Sequence, residues 1–261
     1  MRQAFRHLFS VVALTALLAP VKPLLAAAPS PDPAPPAGHP RHIVKTWLTT
    51  YRGRTFRVTQ LPRCEHMDAV ISYAPRGETK ERAKARLNGV AVSTGAFHNP
   101  SSMALADFYQ RDGSIRSSAT TGRWFFAIMD NGEMHLSGDY ALLKGRSGVT
   151  ALALGQRLVP FHRDGFSKAF INQVTDRMAL GMSDDYIFIV QGKSDLWRLS
   201  DFIRKKLPCH IALNADGGHV VRGKAPVHIV FRWRPPAAAP ASNPTQLDTV
   251  QIPATPPASD S

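Results

Sequence analysis

The sequence predicts an α+β fold: a single domain with a mixed sheet of short strands, several hairpins and a C-terminal βαβ crossover. Three observations support this prediction. Short apolar runs rich in β-branched and aromatic residues recur along the chain, and glycine-containing turn dipeptides separate some of them. One amphipathic segment lies between two such runs in the last third of the chain. The chain has 261 residues, 44% of them hydrophobic, which is enough to bury a core of ordinary size.

The two ends of the chain differ in composition from the middle. Residues 1–28 have the pattern of an export signal, with a basic start, the apolar run LFSVVALTALLAPV and small residues suited to cleavage. Residues 29–40 predict a Pro/Ala-rich linker and residues 235–261 a disordered Pro/Ala-rich tail, which leaves residues 41–234 as the folded domain. We therefore expect a periplasmic or secreted protein with no stable membrane insertion after signal removal. An uncleaved membrane anchor is the alternative.

The chain is strongly basic. Its formal net charge falls from +13 to +10 when Arg2, Arg6 and Lys22 are removed with the signal. Such an excess suits a polyanionic partner, such as a phosphate-bearing glycan, an acidic lipid or nucleic acid. The lysines and arginines form no dense block, so a generally basic, soluble surface explains the charge equally well.

The first part of the domain predicts strands, one exposed helix and two hairpins. Composition favours strands at residues 55–61, 68–74 and 89–94. Residues 78–87, ETKERAKARL, favour an exposed helix in which Glu78 and Arg82 have the spacing of an i,i+4 ion pair. Within residues 122–137, Asn131-Gly132 suits a type I′ hairpin turn, and a second hairpin is expected at Asp112-Gly113.

The last third predicts a strand, a helix and another strand. Residues 185–191 and 209–215 are apolar runs typical of buried strands. Residues 194–208 between them favour a helix that starts at Ser194 as N-cap and stops at Pro208. Its predicted buried face contains Leu196, Leu199, Ile203 and Leu207. This order predicts a crossover between two parallel strands, and ligands tend to bind outside the carboxyl ends of such strands, where Asp216 would lie.

Two cysteines, Cys64 and Cys209, are present. In an oxidising compartment they form either one disulfide or two buried free thiols, and the sequence leaves both open. We expect no metal shared by Cys209, His210 and His219, because Cys209 and His210 point to opposite faces of a strand.

From Gly89 to Trp233 the order of segments resembles the phosphodiester glycosidase domain family. The segments that carry the resemblance are VSTGAFHNPSSMALADFYQRDGSI, DRMALGMSDDYIFIVQ and LWRLSDFIRKKLPCHIALNADGG. The hallmark of the family is Asn-Leu-Asp-Gly-Gly-Gly-Ser. In this chain the third glycine is His219 and the serine is Val220, and the asparagine that precedes the first glycine turn is replaced by Ser93-Thr94.

The resemblance implies an exported hydrolase that cleaves a sugar-1-phosphodiester linkage in an envelope or extracellular glycan. We expect no cofactor and assign no metal ligands, and the sequence leaves open whether a metal assists. It implies Asp216 as the catalytic carboxylate and Arg177 as the cation that holds phosphate oxygens bidentately. The substrate-binding residues that it implies are Thr94, Gly95, Asn99, Asn214, Gly217, Gly218 and His219. Glycines permit positive φ and leave backbone N–H groups open to an anion.

Other interpretations remain open. The altered hallmark also fits a catalytically degenerate family member that binds a phosphorylated or acidic glycan without cleaving it. A basic exported nucleic-acid binder is supported by composition alone, since no recognised module is present, so nucleic acid is not the expected partner. Taken alone, Asp-Gly-Gly between apolar runs is typical of a hairpin turn, and His219 of an ordinary turn histidine.

Overall fold

The computed structural model of the chain describes residues 43–118, 124–141 and 143–234. The predicted signal peptide, linker and C-terminal tail lie outside the described residues. No helix in the described part of the chain is both long enough and apolar enough to span a bilayer.

Strands outnumber helices in the described structure, with 48% of residues in strands and 15% in helices, which is compatible with the predicted α+β class. In chain order, the first strands are β1 (Lys45–Tyr51), β2 (Arg54–Pro62), β3 (Met67–Thr79), β4 (Ala91–Thr94), β5 (Tyr109–Arg111), β6 (Ser114–Ser117) and β7 (Phe125–Ile128). The later strands are β8 (Met134–Ser137), β9 (Thr150–Ala153), β10 (Arg157–Val159), β11 (Thr175–Met182), β12 (Tyr186–Ser194), β13 (Ile211–Ala215) and β14 (Lys224–Trp233). The helices are α1 (Lys80–Arg86), α2 (Lys168–Asn172) and α3 (Leu196–Lys206), and Gly218–Val221 form a 3₁₀ turn.

The described strands assemble into three sheets. The six-stranded sheet has the order β1-β2-β12-β11-β13-β10, the three-stranded sheet β3-β14-β4 and the five-stranded sheet β6-β5-β9-β7-β8. Successive residues of a strand point to opposite faces, so the six-stranded sheet buries two apolar surfaces. Leu180 and Leu213 on one face share a core with Ile229 of the three-stranded sheet. Ala179 and Phe188 on the other face pack in the core that contains α3.

Helix α3 forms as predicted because its apolar residues share one face. Leu196, Leu199 and Ile203 are fully buried, and Phe202 adds a ring that stacks on Phe56 with centroids 4.4 Å apart. This face therefore attaches the helix to the six-stranded sheet.

The N-cap of α3 differs from the prediction by one residue. Asp195, not Ser194, is the cap, and its side chain accepts the backbone N–H of Arg198. Ser194 instead remains the last residue of β12. Asp and Ser are comparable N-cap residues, so the sequence alone does not distinguish the two positions.

The predicted mixed sheet is wrong, because every strand pairing among the described residues is antiparallel. Strands β12 and β13 do run in the same direction and are joined by α3. However, β11 lies between them and pairs antiparallel with both. The turn at residues 183–185 folds β11 directly back against β12, so β11 takes the position that a simple crossover would give to β13. Asp216 still follows the last residue of β13.

The two predicted hairpins form, but with different turns. Asp112 and Gly113 both have positive φ, 50° and 76°, as a type I′ turn requires. In the other hairpin φ is positive at Gly132, 83°, but not at Asn131. The N–H of Gly132 donates to the carbonyl of Met129, so this loop is longer and the predicted type I′ turn is wrong. The Asn131 side chain accepts the N–H of Glu133, which stabilises the wider loop.

Strands β2 and β4 confirm two predicted strands, whereas β3 extends beyond its prediction to Thr79. Helix α1 consequently begins at Lys80, with Thr79 as its N-cap. Glu78 therefore lies in a strand, and its predicted ion pair with Arg82 is wrong. Its carboxylate instead pairs with Arg86 at 2.6 Å.

Cys64 and Cys209 are both free thiols. Burial raises the pKa of Cys209 to about 12, so its thiol stays protonated at neutral pH. The sulfur packs against β11, where a Cβ added to Gly181 would lie 2.7 Å from it. The position of the Cys209 sulfur therefore favours glycine at position 181.

We predict that Gly181→Ala destabilises the protein by about 1–3 kcal/mol, because the new methyl group overlaps the Cys209 sulfur in a close-packed region. Cys209→Ala removes the sulfur, so Gly181→Ala should cost clearly less in that background. Urea unfolding of the four proteins in this cycle measures the difference. An equal cost in both backgrounds would show that the sulfur is not the obstacle.

Candidate active site

Asp216 is held where two sheets meet. It directly follows β13 of the six-stranded sheet, and its main chain bonds to the end of β4 in the three-stranded sheet. The Thr94 hydroxyl donates to the Asp216 carbonyl at 2.6 Å, and the Asp216 N–H donates to the carbonyl of Gly95 at 3.1 Å. Because both bonds involve the backbone of Asp216, they fix the position from which its carboxylate projects.

The carboxylate of Asp216 forms a close pair with His98. The Nδ1 atom of His98 lies 2.9 Å from Oδ2 of Asp216. The His98 side chain is 1% exposed and that of Asp216 is 13% exposed, so the carboxylate is the solvent-facing member of the pair. The Nε2 atom of His98 is buried and has no hydrogen-bond partner among the described residues.

Burial raises the pKa of the Asp216 carboxyl above its ordinary value of 3.8. The hydrogen bond and charge of His98, the N–H of Gly217 and the charge of His219 act in the opposite direction, but burial prevails. A carboxylate with a raised pKa is a stronger base than an exposed aspartate, and such shifts are common at catalytic sites.

His98 was not among the residues that the sequence singled out. It lies in the quoted segment that resembles the phosphodiester glycosidase family, but its partner Asp216 is separated from it by 118 positions. No local spacing links the two residues. Only the packing of the three-stranded sheet against the six-stranded sheet brings the loop after β4 next to the end of β13.

The loop that carries His98 is shaped by Asn99 and Phe97. The Oδ1 atom of Asn99 accepts the backbone N–H groups of Ser101 and Ser102, at 2.9 and 3.1 Å. The ring of Phe97 packs edge-on against Phe170 with centroids 6.2 Å apart. The side-chain oxygen of Asn99 therefore stabilises the loop, whereas the sequence predicted a substrate contact for this residue.

The two glycines after Asp216 meet different demands. Gly218 has φ of +64°, as predicted for a turn glycine. Gly217 has φ of −120°, so it does not use the positive φ that glycine permits. A Cβ at Gly217 would lie 2.7 Å from the carbonyl oxygen of Asp176, so close packing against β11 is what requires glycine there. Gly95 is similarly confined, because a Cβ would lie 2.6 Å from Val227.

Arg177 is buried, with 2% exposure, and its guanidinium binds the protein backbone. Nη2 donates to the carbonyls of Phe170 and Gln173, at 2.7 and 2.9 Å, and Nε donates to that of Ser194 at 3.4 Å. The guanidinium also lies over the ring of Phe170, 4.6 Å from its centroid. These bonds occupy the Nε and Nη2 edge that a bidentate phosphate contact would use, so the geometry does not support the predicted phosphate clamp.

The other predicted contact residues divide by exposure. Thr94 is fully buried, and Asn214 is 1% exposed. The side-chain oxygen and nitrogen of Asn214 have no hydrogen-bond partner among the described residues, and the same is true of Gln156, whose carbonyl accepts the Asn214 N–H. His219 is exposed, and its ring centroid lies 6.5 Å from that of His98. Of these three predicted contact residues, His219 is therefore the one that faces solvent next to the His98–Asp216 pair.

Among the described residues, no group of three or more His, Cys, Asp or Glu side chains is placed to hold a metal ion. The titratable groups that the fold brings together are one carboxylate, Asp216, and two imidazoles, those of His98 and His219. This set can exchange protons and bear negative charge at one point on the surface.

Neither a model of a known protein family nor a curated protein matches the sequence. Solved structures do match the fold. A hypothetical protein from Synechocystis has a TM-score of 0.60 and 12% identity, over 73% of this chain and 62% of that one. The catalytic domain of zebrafish N-acetylglucosamine-1-phosphodiester alpha-N-acetylglucosaminidase, auto-inhibited by its pro-peptide, has a TM-score of 0.55 and 14% identity, over 74% and 83% of the two chains.

A third structure is that of a Burkholderia pseudomallei protein that is provisionally named as exported. Its TM-score is 0.51 and its identity 12%, over 69% of this chain and 74% of that one. The chain shares the fold of these proteins. At identities of 12 to 14%, the likeness extends to the fold alone.

The burial of Asp216 predicts a pH dependence of stability. A carboxyl whose pKa is raised in the folded protein binds its proton more tightly there, so the unfolded chain loses its proton first as the pH rises. We therefore expect the wild-type protein to lose stability, relative to Asp216→Asn, as the pH rises from the ordinary value of 3.8 through the raised pKa of Asp216.

Urea unfolding of both proteins at several pH values between about 3 and 7 checks this expectation. The matched control is Asp184→Asn, because the Asp184 side chain is 99% exposed. A constant difference between wild type and Asp216→Asn across the series would contradict the raised pKa.

Proposed function

We propose that the chain is a hydrolase that cleaves a sugar-1-phosphodiester, with Asp216 as its catalytic carboxylate. The observation that carries the proposal is the pair formed by His98 and Asp216. The Nδ1 atom of His98 lies 2.9 Å from Oδ2 of Asp216, the His98 side chain is buried, and the Asp216 carboxylate is the part of the pair that reaches solvent. The fold likeness to a catalytic domain named for a sugar-1-phosphodiester supports this substrate class. So does the segment order that resembles the phosphodiester glycosidase family.

The chemistry of this bond fits a site with a single carboxylate. When the bond between the anomeric carbon and the ester oxygen breaks, its electron pair leaves with a phosphate monoester, which is a good leaving group and needs little protonation. Water forms the new bond to the anomeric carbon, and Asp216 takes the proton that the water loses. Burial raises the pKa of Asp216, which strengthens it as that base.

The two histidines have different roles in this proposal. His98 is a positioning residue, because its side chain is 1% exposed and acts by donating Nδ1–H to the Asp216 carboxylate. His219 is exposed beside the pair, where its imidazole can donate a hydrogen bond to a phosphate oxygen or to the leaving group. Arg177, bound to three backbone carbonyls, is a second positioning residue, since it links α2 to the strands that end at the site.

A second candidate is a glycan-binding protein that does not cleave its ligand. The burial of Arg177 favours it, because this arginine is not free to neutralise phosphate charge bidentately. Val220, which replaces the serine of the family hallmark, is also buried and supplies no hydroxyl. In this case the partner is still a phosphate-bearing or acidic glycan, as the basic composition suggests.

We also propose that the protein is exported to the periplasm or secreted. The signal-like composition of residues 1–28 supports this proposal, and so does the fold likeness to a protein provisionally named as exported. A glycan of the envelope or the extracellular medium would then be the accessible substrate.

We expect Asp216→Asn to lower kcat on a chromogenic sugar-1-phosphodiester by at least about 100-fold, because the substitution removes the base without changing its shape. The measurement is release of sugar or phosphate monoester from a panel of such substrates. Asp184→Asn removes an equal charge at a 99% exposed position and should leave kcat unchanged.

Thermal unfolding of each variant shows whether it is folded before its activity is compared. If folded wild type turns over no panel member but still binds sugar phosphates, the hydrolase proposal is wrong and the binding protein is favoured. Equal losses of activity in Asp216→Asn and Asp184→Asn would also contradict the catalytic role of Asp216.

A further inference from the structure

A cavity of about 220 Å³ opens between the six-stranded sheet, the three-stranded sheet and helix α1. Its polar lining residues are Thr46, Arg57, Thr59, Lys80, Glu81, Lys84 and Gln191. Neither Asp216, His98 nor His219 lines it, so the cavity is separate from the candidate active site.

The cavity lies at the margin of the main core. Strand β2 points Leu61 into that core, and Thr59 and Arg57, which share its face, come next along the strand. Ile189 and Gln191 make the same change from apolar to polar along β12. The space between the two sheets is therefore filled by apolar side chains at its centre and lined by polar ones here.

Lys80 is the unusual member of the lining. It is 7% exposed, although a lysine is rarely buried without a partner of opposite charge. The one hydrogen bond of its Nζ atom to a described residue is a long contact of 3.5 Å with Oε1 of Gln191. No described carboxylate forms an ion pair with this ammonium group, so its positive charge is poorly compensated.

Charges of both signs surround Lys80. Arg57 is the positive and Glu81 the negative lining residue whose charge acts on it. Burial lowers the pKa of Lys80 most, the charge of Glu81 raises it, and the smaller effect of Arg57 lowers it further. An anion in the cavity would offset both the burial of the ammonium group and its repulsion by Arg57.

The remaining donors suit an oxyanion. The hydroxyl groups of Thr46 and Thr59 hydrogen-bond to each other at 3.1 Å, so one of their two protons is left for an anion, and Gln191 contributes an amide. Cations together with hydroxyl and amide donors are the groups that bind phosphate oxygens in proteins. A volume of about 220 Å³ holds a tetrahedral oxyanion together with several waters.

We propose that this cavity binds a phosphate-class oxyanion, either free or as the phosphate group of a sugar ester, with Lys80 as its buried counter-charge. The site does not depend on the hydrolase proposed above, because it shares none of the Asp216, His98 and His219 side chains. The cavity is a second phosphate-binding site, in addition to the candidate active site.

The test is thermal unfolding of the full chain in sodium phosphate, compared with sodium chloride at the same ionic strength. At a phosphate concentration about ten times Kd, the melting temperature should rise by about 3–6 °C. Lys80→Met keeps the aliphatic stem but removes the charge, and should lose most of this rise. Its melting temperature without phosphate should equal or exceed that of wild type, because the buried charge is gone.

Two controls locate the site. Lys168→Met removes an equal charge from exposed α2 and should keep the full rise with phosphate. His219→Gln should keep it too, which separates this cavity from phosphate bound at the candidate active site, where His219 is the proposed phosphate contact. Glucose 1-phosphate distinguishes the two sources of the ligand: tighter binding than inorganic phosphate indicates a sugar ester, and equal binding indicates free phosphate.

The proposal is overturned if phosphate stabilises wild type no more than chloride does, or if Lys80→Met retains the full rise. Should Lys80→Met not fold, Arg57→Gln changes an exposed side chain of the same cavity. Calorimetric titration with phosphate should then show affinity weakened about two- to fivefold. Unchanged affinity in Arg57→Gln would overturn the proposal as well.

Discussion

Two hydrogen bonds join the end of β13 to the end of β4, and the candidate site depends on them. Through these bonds, Thr94 and Gly95 hold the backbone of Asp216. The loop that leaves β4 then carries His98 to within 2.9 Å of the carboxylate. Without this link between sheets, neither the burial of Asp216 nor its pairing with His98 would follow. Strand β4 also contributes Ala91 and Val92 to the cavity of Lys80, so one short strand takes part in both polar sites.

Each of the two sites contains an ionisable side chain whose charged form is disfavoured by burial. Burial raises the pKa of Asp216 and lowers that of Lys80, so each ionised group costs stability unless a partner offsets it. His98 does this in part for Asp216. Arg177 differs, because backbone carbonyls satisfy its donors and its buried charge supports the structure around the site. Groups that remain poorly compensated in the folded chain are those expected to meet a ligand.

The sequence predicted the parts of the fold that depend on local patterns. The apolar face of α3 and the hairpin at Asp112-Gly113 formed because each depends on neighbouring residues. The predicted mixed sheet was wrong, since the sequence does not say that β11 lies between β12 and β13 and pairs antiparallel with both. His98 was missed for a related reason: its partner lies 118 positions away. Arg177 could be located by its place in the segment order, but its hydrogen bonds to backbone carbonyls depend on how α2 packs.

The central claim is that Asp216 and His98 act as one unit in catalysis. The most direct test is a double-mutant cycle of Asp216→Asn and His98→Gln, with kcat measured on a sugar-1-phosphodiester that the wild type cleaves. If His98 acts through Asp216, the double variant should be no slower than Asp216→Asn alone, because His98 then has no carboxylate to position. Independent, additive losses would contradict the account, and so would a His98→Gln variant that is folded and fully active.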